Sequence, residues 1–137
     1  MGETLTVLMR FVHLASAVVL VGGIVYARFV MIPSAASLAS DARTALDENA
    51  ARRFRPMAFA AMACLVLSGI FNYLLKPGHS VRYSALFGIK MLLALHVFSV
   101  AILVAAPNNP RRARQLFGAA ISGLVIILIA AYLKGIA

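Results

Sequence analysis

Four long apolar runs, separated by short polar links, leave this chain few ways to fold. They cover about 4–32, 54–76, 83–106 and 112–134. Each is long enough to cross a hydrocarbon core of about 30 Å at about 1.5 Å per helical residue. Lipid offers no hydrogen bonds, so a span must be a helix or a strand of a closed barrel. The runs lack the alternation of barrel strands. The expected fold class is therefore all-α, a four-transmembrane-helix bundle, with residues 1–137 forming a single integral membrane domain. Composition agrees. Of the 137 residues, 63% are hydrophobic, against roughly 45–50% in soluble domains, and the mean hydropathy is +0.94.

The span boundaries have chemical causes. Pro33 continues a helix poorly, so the first span is expected to end there. Residues 34–53 are rich in Ala, Ser, Asp and Arg; they predict a link holding a short amphipathic helix, Ser40 to Arg53, at the membrane interface. Pro56 suits the first turn of the second span. Lys76-Pro77-Gly78-His79 predicts a turn and Pro107-Asn108-Asn109-Pro110 a tight break. Short links make neighbouring helices antiparallel, so the first and third spans run the same way. Gly22, Gly23, Gly69, Gly118, Ala119, Ser122 and Gly123 predict close helix packing. The small residues Ser37-Leu38-Ala39-Ser40-Asp41-Ala42 suit a signal cleavage site. The apolar run before them is too long for a signal peptide and Arg28 interrupts its far end, so the first span is expected to be retained.

The net charge is +9, but the basic residues flank apolar spans. They predict membrane topology and contact with anionic lipid, not nucleic-acid binding. One side carries Arg28, Arg43, Arg52, Arg53, Arg55, Arg111, Arg112 and Arg114; the other carries Arg10, Lys76, Arg82, Lys90 and Lys134. This bias predicts a multi-pass protein of the inner (plasma) membrane with both termini outside. Cys64, the one cysteine, cannot form an intrachain disulfide and reads as a buried small hydrophobe. The acids Glu3, Asp41, Asp47 and Glu48 are terminal or in the first link. No carboxylate pair, nucleophile–base pair or phosphate loop is visible, which argues against hydrolysis within the membrane.

Of three histidines, His79 falls in the Pro-Gly turn and reads as a solvated loop residue. His13 and His96 lie inside the first and third spans. An ionisable group inside a span is expensive and points to function. Each lies fifteen residues before an arginine, Arg28 or Arg111. On parallel helices this predicts matching depth to within about one turn, ~5 Å. Two neutral imidazoles at one depth form a candidate site for a metal or haem iron. Arg10, at i−3 from His13, and Lys90 on the third span would meet haem propionates. Ser16, Ala17 and Gly23 would leave room for a flat ring, and Ser99 is a possible partner of His96. Each histidine can equally be a simple interhelical hydrogen bond. Copper is the alternative metal: Met9 shares the His13 face, while Met31, Met57, Met62 and Met91 are scattered.

The pattern of His13, Gly23, Tyr26 and Arg28 resembles the first helix of the HemJ-type protoporphyrinogen oxidases. The resemblance implies a small four-helix membrane protein carrying b-type haem, with His13, Lys90 and His96 as the matching positions. The stretches Arg53-Phe54-Arg55-Pro56, Leu67-Ser68-Gly69 and Tyr83-Ser84-Ala85-Leu86-Phe87-Gly88-Ile89-Lys90 are similar to the CopD copper-resistance domain. The expectation is thus a membrane b-type haem protein with a redox or electron-transfer role. His13 and His96 would be axial ligands, and porphyrin or quinone the partner. A CopD-like copper-handling protein and a cofactor-free structural subunit are the alternatives. Four helices barely enclose a haem, so a homodimer is expected.

Overall fold

The computed structural model describes residues 2–74, 78, 80–104 and 110–136. Five helices are seen among them: α1 (Gly2–Tyr26), α2 (Ile32–Ala35), α3 (Ser40–Leu74), α4 (Val81–Val104) and α5 (Arg112–Ile136). A π-helical turn, Ala27–Met31, joins α1 to α2. Four helical stretches, Gly2–Ala35, Ser40–Leu74, Val81–Val104 and Arg112–Gly135, are long and apolar enough to cross a membrane. The all-α, four-span architecture stands.

Two prolines behave differently from expectation. Helix 1 does not stop at Pro33. The Ile32 N–H donates to the Ala27 carbonyl to close the π-turn, and Pro33 then sits in the first turn of α2, where its missing N–H costs nothing. Ala36 and Leu38 N–H groups donate to Pro33 and Ala35 carbonyls, 3.2 and 3.0 Å, and turn the chain into α3. The expected interfacial helix is not separate. It is the first part of α3, which runs through Pro56 without a break. Membrane helices tolerate proline because neighbouring groups re-satisfy the freed carbonyl. At α4, the Ser80 hydroxyl accepts from the Tyr83 N–H at 3.1 Å, an N-cap. Gly78 has φ +79, a conformation that favours glycine, as the predicted turn requires. Lys76, Pro77 and His79, and Pro107, Asn108 and Asn109, lie outside the described residues.

Side-chain contacts fix the directions. His13 and Gly23 of α1 meet Ser68 and Phe54 of α3. Arg82 and His96 of α4 meet Tyr132 and Ser122 of α5. Val21 and Phe29 meet Gly123 and Phe117 of α5. In each pair, the later residue of one helix meets the earlier residue of the other. All three pairs are antiparallel, so α1 and α4 are parallel. The strongest packing is within the hairpins α1–α3 and α4–α5, with α1–α5 and α3–α4 closing the ring. This leaves α1 and α4 on a diagonal.

The dry core occupies one half of the bundle. Leu20, Ile24, Ala58, Ala61, Met62, Val97, Val100, Ala101, Leu116, Ala119 and Ala120 form one buried cluster. All belong to the half nearer Arg28, Arg55 and Arg112, here termed the arginine end. Glycines allow the approach there. A Cβ on Gly23 would overlap the Phe54 ring, and one on Gly123 would lie 3.0 Å from Val21 Cγ1. Arg112 closes this end. Its Nε donates to the Val104 carbonyl at 3.2 Å, and its guanidinium lies 3.8 Å from Glu48.

Candidate functional site

The other half, the terminal end, holds polar groups where the first half holds a core. His13 is half-buried between α1 and α3, and its Nδ1 lies 2.9 Å from Ser68 Oγ. Ser68 is 1% exposed. Its own hydroxyl donates to the Cys64 carbonyl at 2.5 Å, one turn back along α3. A hydroxyl has a single proton. With that proton committed, Ser68 accepts from His13 Nδ1–H. The tautomer is thereby set and the Nε2 lone pair is left free. Ring atoms Cε1 and Nδ1 are the ones facing Gly69, 3.5 and 3.9 Å from where a Cβ would stand. Nε2 is more than 4 Å from that position.

Three further groups belong to this half. Lys90 of α4 is half-buried. Its ammonium lies 5.7 Å from the Phe87 ring centroid, and Phe87 packs on Tyr73 of α3 at 4.5 Å. Asn72, one turn beyond Ser68, has a buried Oδ1 without a hydrogen-bond partner. Such orphans are uncommon and call for an explanation. Arg10 is exposed, one turn from His13 towards the terminal end.

His96 is elsewhere. Its Nδ1 lies 2.7 Å from Ser122 Oγ. Its Cε1 and Nε2 both face Gly118, 3.6 and 3.9 Å from the Cβ position there. The whole ring edge thus lies against α5. Depth can be read from shared neighbours. Gly123 meets Val21, so His96, level with Ser122 and Gly118, is level with Val21 or beyond. Val21 is eight residues past His13, or about 12 Å along the helix. The expected match in depth between the two histidines is not found. The arginine counting failed because Arg28 sits in the π-turn near the membrane boundary of α1, whereas Arg111 precedes α5. Ser99 does not serve His96 either; its hydroxyl donates to its own helix at Leu95, 2.8 Å.

Sequence reasoning missed Ser68 and Ser122 as the histidines' partners. The pairing required knowing which helix faces which. Of the glycines expected to mark close packing, Gly23 and Gly123 do so against Phe54 and Val21, while Gly69 and Gly118 face the two histidines. Gly22 meets nothing. Ser16 is buried and Ala17 half-buried.

The donor chemistry at His13 suits a haem iron. A ligating histidine usually donates its second ring N–H to a fixed partner, as His13 does to Ser68. Lys90 and Arg10 suit carboxylate side chains, and Phe87 and Tyr73 offer ring faces to a flat molecule. Among the described residues, no three of His, Cys, Asp and Glu come together as a metal site. No protein-family model matches this chain, and no curated protein or solved structure proves similar to it.

Proposed function

We propose that this is a redox protein of the plasma membrane that binds b-type haem through His13, with both termini outside. The observation that carries the reading is the imidazole inside the first span whose Nδ1–H is given to Ser68, a hydroxyl already committed to the Cys64 carbonyl. Haem bound there would supply one-electron chemistry. Ser68 holds the ring and sets its basicity. Lys90 and Arg10 neutralise propionates, and the Asn72 amide oxygen, Phe87 and Tyr73 line the ring's surroundings. Held through one histidine, such a haem would supply chemistry on a small molecule as well as electron transfer. Oxidation of a porphyrinogen, or electron passage to a quinone, fits that arrangement. His96 contributes by fastening α4 to α5.

Copper handling draws less support. Met9 stands one turn from His13 on α1, but Met62 belongs to the buried core and Met57 and Met91 are exposed, so the other sulfur donors are not gathered beside it.

The test is the absorption spectrum of the detergent-purified chain. A Soret band lost in His13→Ala and kept in His96→Ala is expected. A wild-type protein that binds copper but shows no Soret band after expression with ample haem would overturn the reading.

A further inference from the structure

Arg28 is a partly buried cation held between two aromatic rings. Its guanidinium carbon lies 5.5 Å from the Phe29 centroid and 5.6 Å from that of Phe117. Its Nε is buried and has no hydrogen-bond partner. Two rings thus fix the side chain, yet no anion among the described residues answers it. The rings themselves lie on the surface, Phe29 being 47% and Phe117 45% exposed. At this level the surface faces acyl chains and the headgroups above them.

Two further sources of positive potential converge here. Arg114 is exposed and stands at i−3 from Phe117, so it shares that face of α5 one turn nearer the headgroups. Phe117 belongs to the first two turns of α5, a helix of 25 residues whose N-terminal dipole end attracts anions. Guanidinium groups pair with phosphate in a bidentate manner. Exposed Ile121, one turn deeper at i+4 from Phe117, continues the apolar strip.

We infer that Arg28, Arg114 and the N-terminal turn of α5 hold the phosphate of an anionic phospholipid, its acyl chains lying along Phe29, Phe117 and Ile121. This is a defined site, distinct from general attraction of a basic surface. It is also independent of any cofactor at His13.

The experiment is a native mass spectrometry titration of the full chain with phosphatidylglycerol, with phosphatidylcholine of the same acyl chains, and with inorganic phosphate. Retention of phosphatidylglycerol over phosphatidylcholine is expected. Arg28→Gln and Arg114→Gln should each weaken it about fivefold, the factor equivalent to about 1 kcal/mol for one basic residue at an anionic surface. Arg43→Gln, which removes the same charge from the same side of the membrane elsewhere, should leave it unchanged. Arg114 is exposed, so its variant is informative even if Arg28→Gln folds poorly. Equal weakening by Arg43→Gln would reduce the site to diffuse attraction and overturn the proposal. So would equal retention of the two lipids, or inorganic phosphate binding as well as the lipid does.

Discussion

The two halves of the bundle solve opposite problems with the same helices. At the arginine end, small residues bring backbones together and the interior is closely packed: Ala119 and Ala120 are 1% and 0% exposed. At the terminal end the corresponding stretches carry His13, Ser68, Asn72 and Lys90. Polar groups stand there in place of that apolar cluster, and Asn72 Oδ1 is buried without a partner, as Arg28 Nε and Asp47 Oδ1 are at the other end. The contrast teaches where to look for chemistry. A hydrogen bond from histidine to serine does not by itself mark a site, because exposed His96 has one to Ser122 too. What separates His13 is a serine whose proton is already committed to the Cys64 carbonyl.

The contrast can be broken most severely at the packed end. Gly23→Val places atoms inside the Phe54 ring and should cost about 3 kcal/mol, read as a lowered unfolding midpoint in detergent. An unchanged midpoint would mean that α1 and α3 do not meet there. Next is Ser68→Ala, which should weaken haem binding about 10–100-fold, while Ser122→Ala should leave haem content intact and cost only about 0.6 kcal/mol, typical of interhelical bonds in membranes. Haem titration of the two variants side by side sharpens the distinction; equal losses would erase it. Arg112→Ala removes the bond to the Val104 carbonyl and should destabilise by about 1.5–3 kcal/mol as a charged hydrogen bond. This loss is confined to thermal stability, with haem content constant. Asn72→Leu removes an unsatisfied buried oxygen, so the haem-free chain should gain about 1 kcal/mol and retain haem less well. A loss of stability in that variant would show that Asn72 is structural. Glu48→Gln should cost little, within about 1 kcal/mol, because its ion pair with Arg112 is long at 3.8 Å.

The spans were legible because membrane hydropathy is a local signal: the third and fourth runs end within about two residues of α4 and α5. The interruption expected between Arg53 and Pro56 was not real, since proline can be carried inside a long helix. The site was half legible. His13, Lys90 and Arg10 declared themselves by their cost in lipid. Their partners Ser68 and Asn72 did not, because serine and asparagine are unremarkable in a span until the facing helix is known. The depth of His96 was misread for a geometric reason. Counting from arginines assumes that every arginine marks the same plane, and one of them lies in a π-turn.

That π-turn has a consequence for how the chain is phased along its length. An α-helical turn closes on the fourth residue back; between Ala27 and Ile32 it closes on the fifth. The turn therefore takes in one residue that a regular helix would not, and offsets α1 from α2 by about 100° of rotation. Gly23 is free to face α3 while Arg28 faces α5. A single-residue deletion at this point would act as a rotation, with little shortening, and would swing Pro33 and the start of the 34–53 stretch towards a different neighbour.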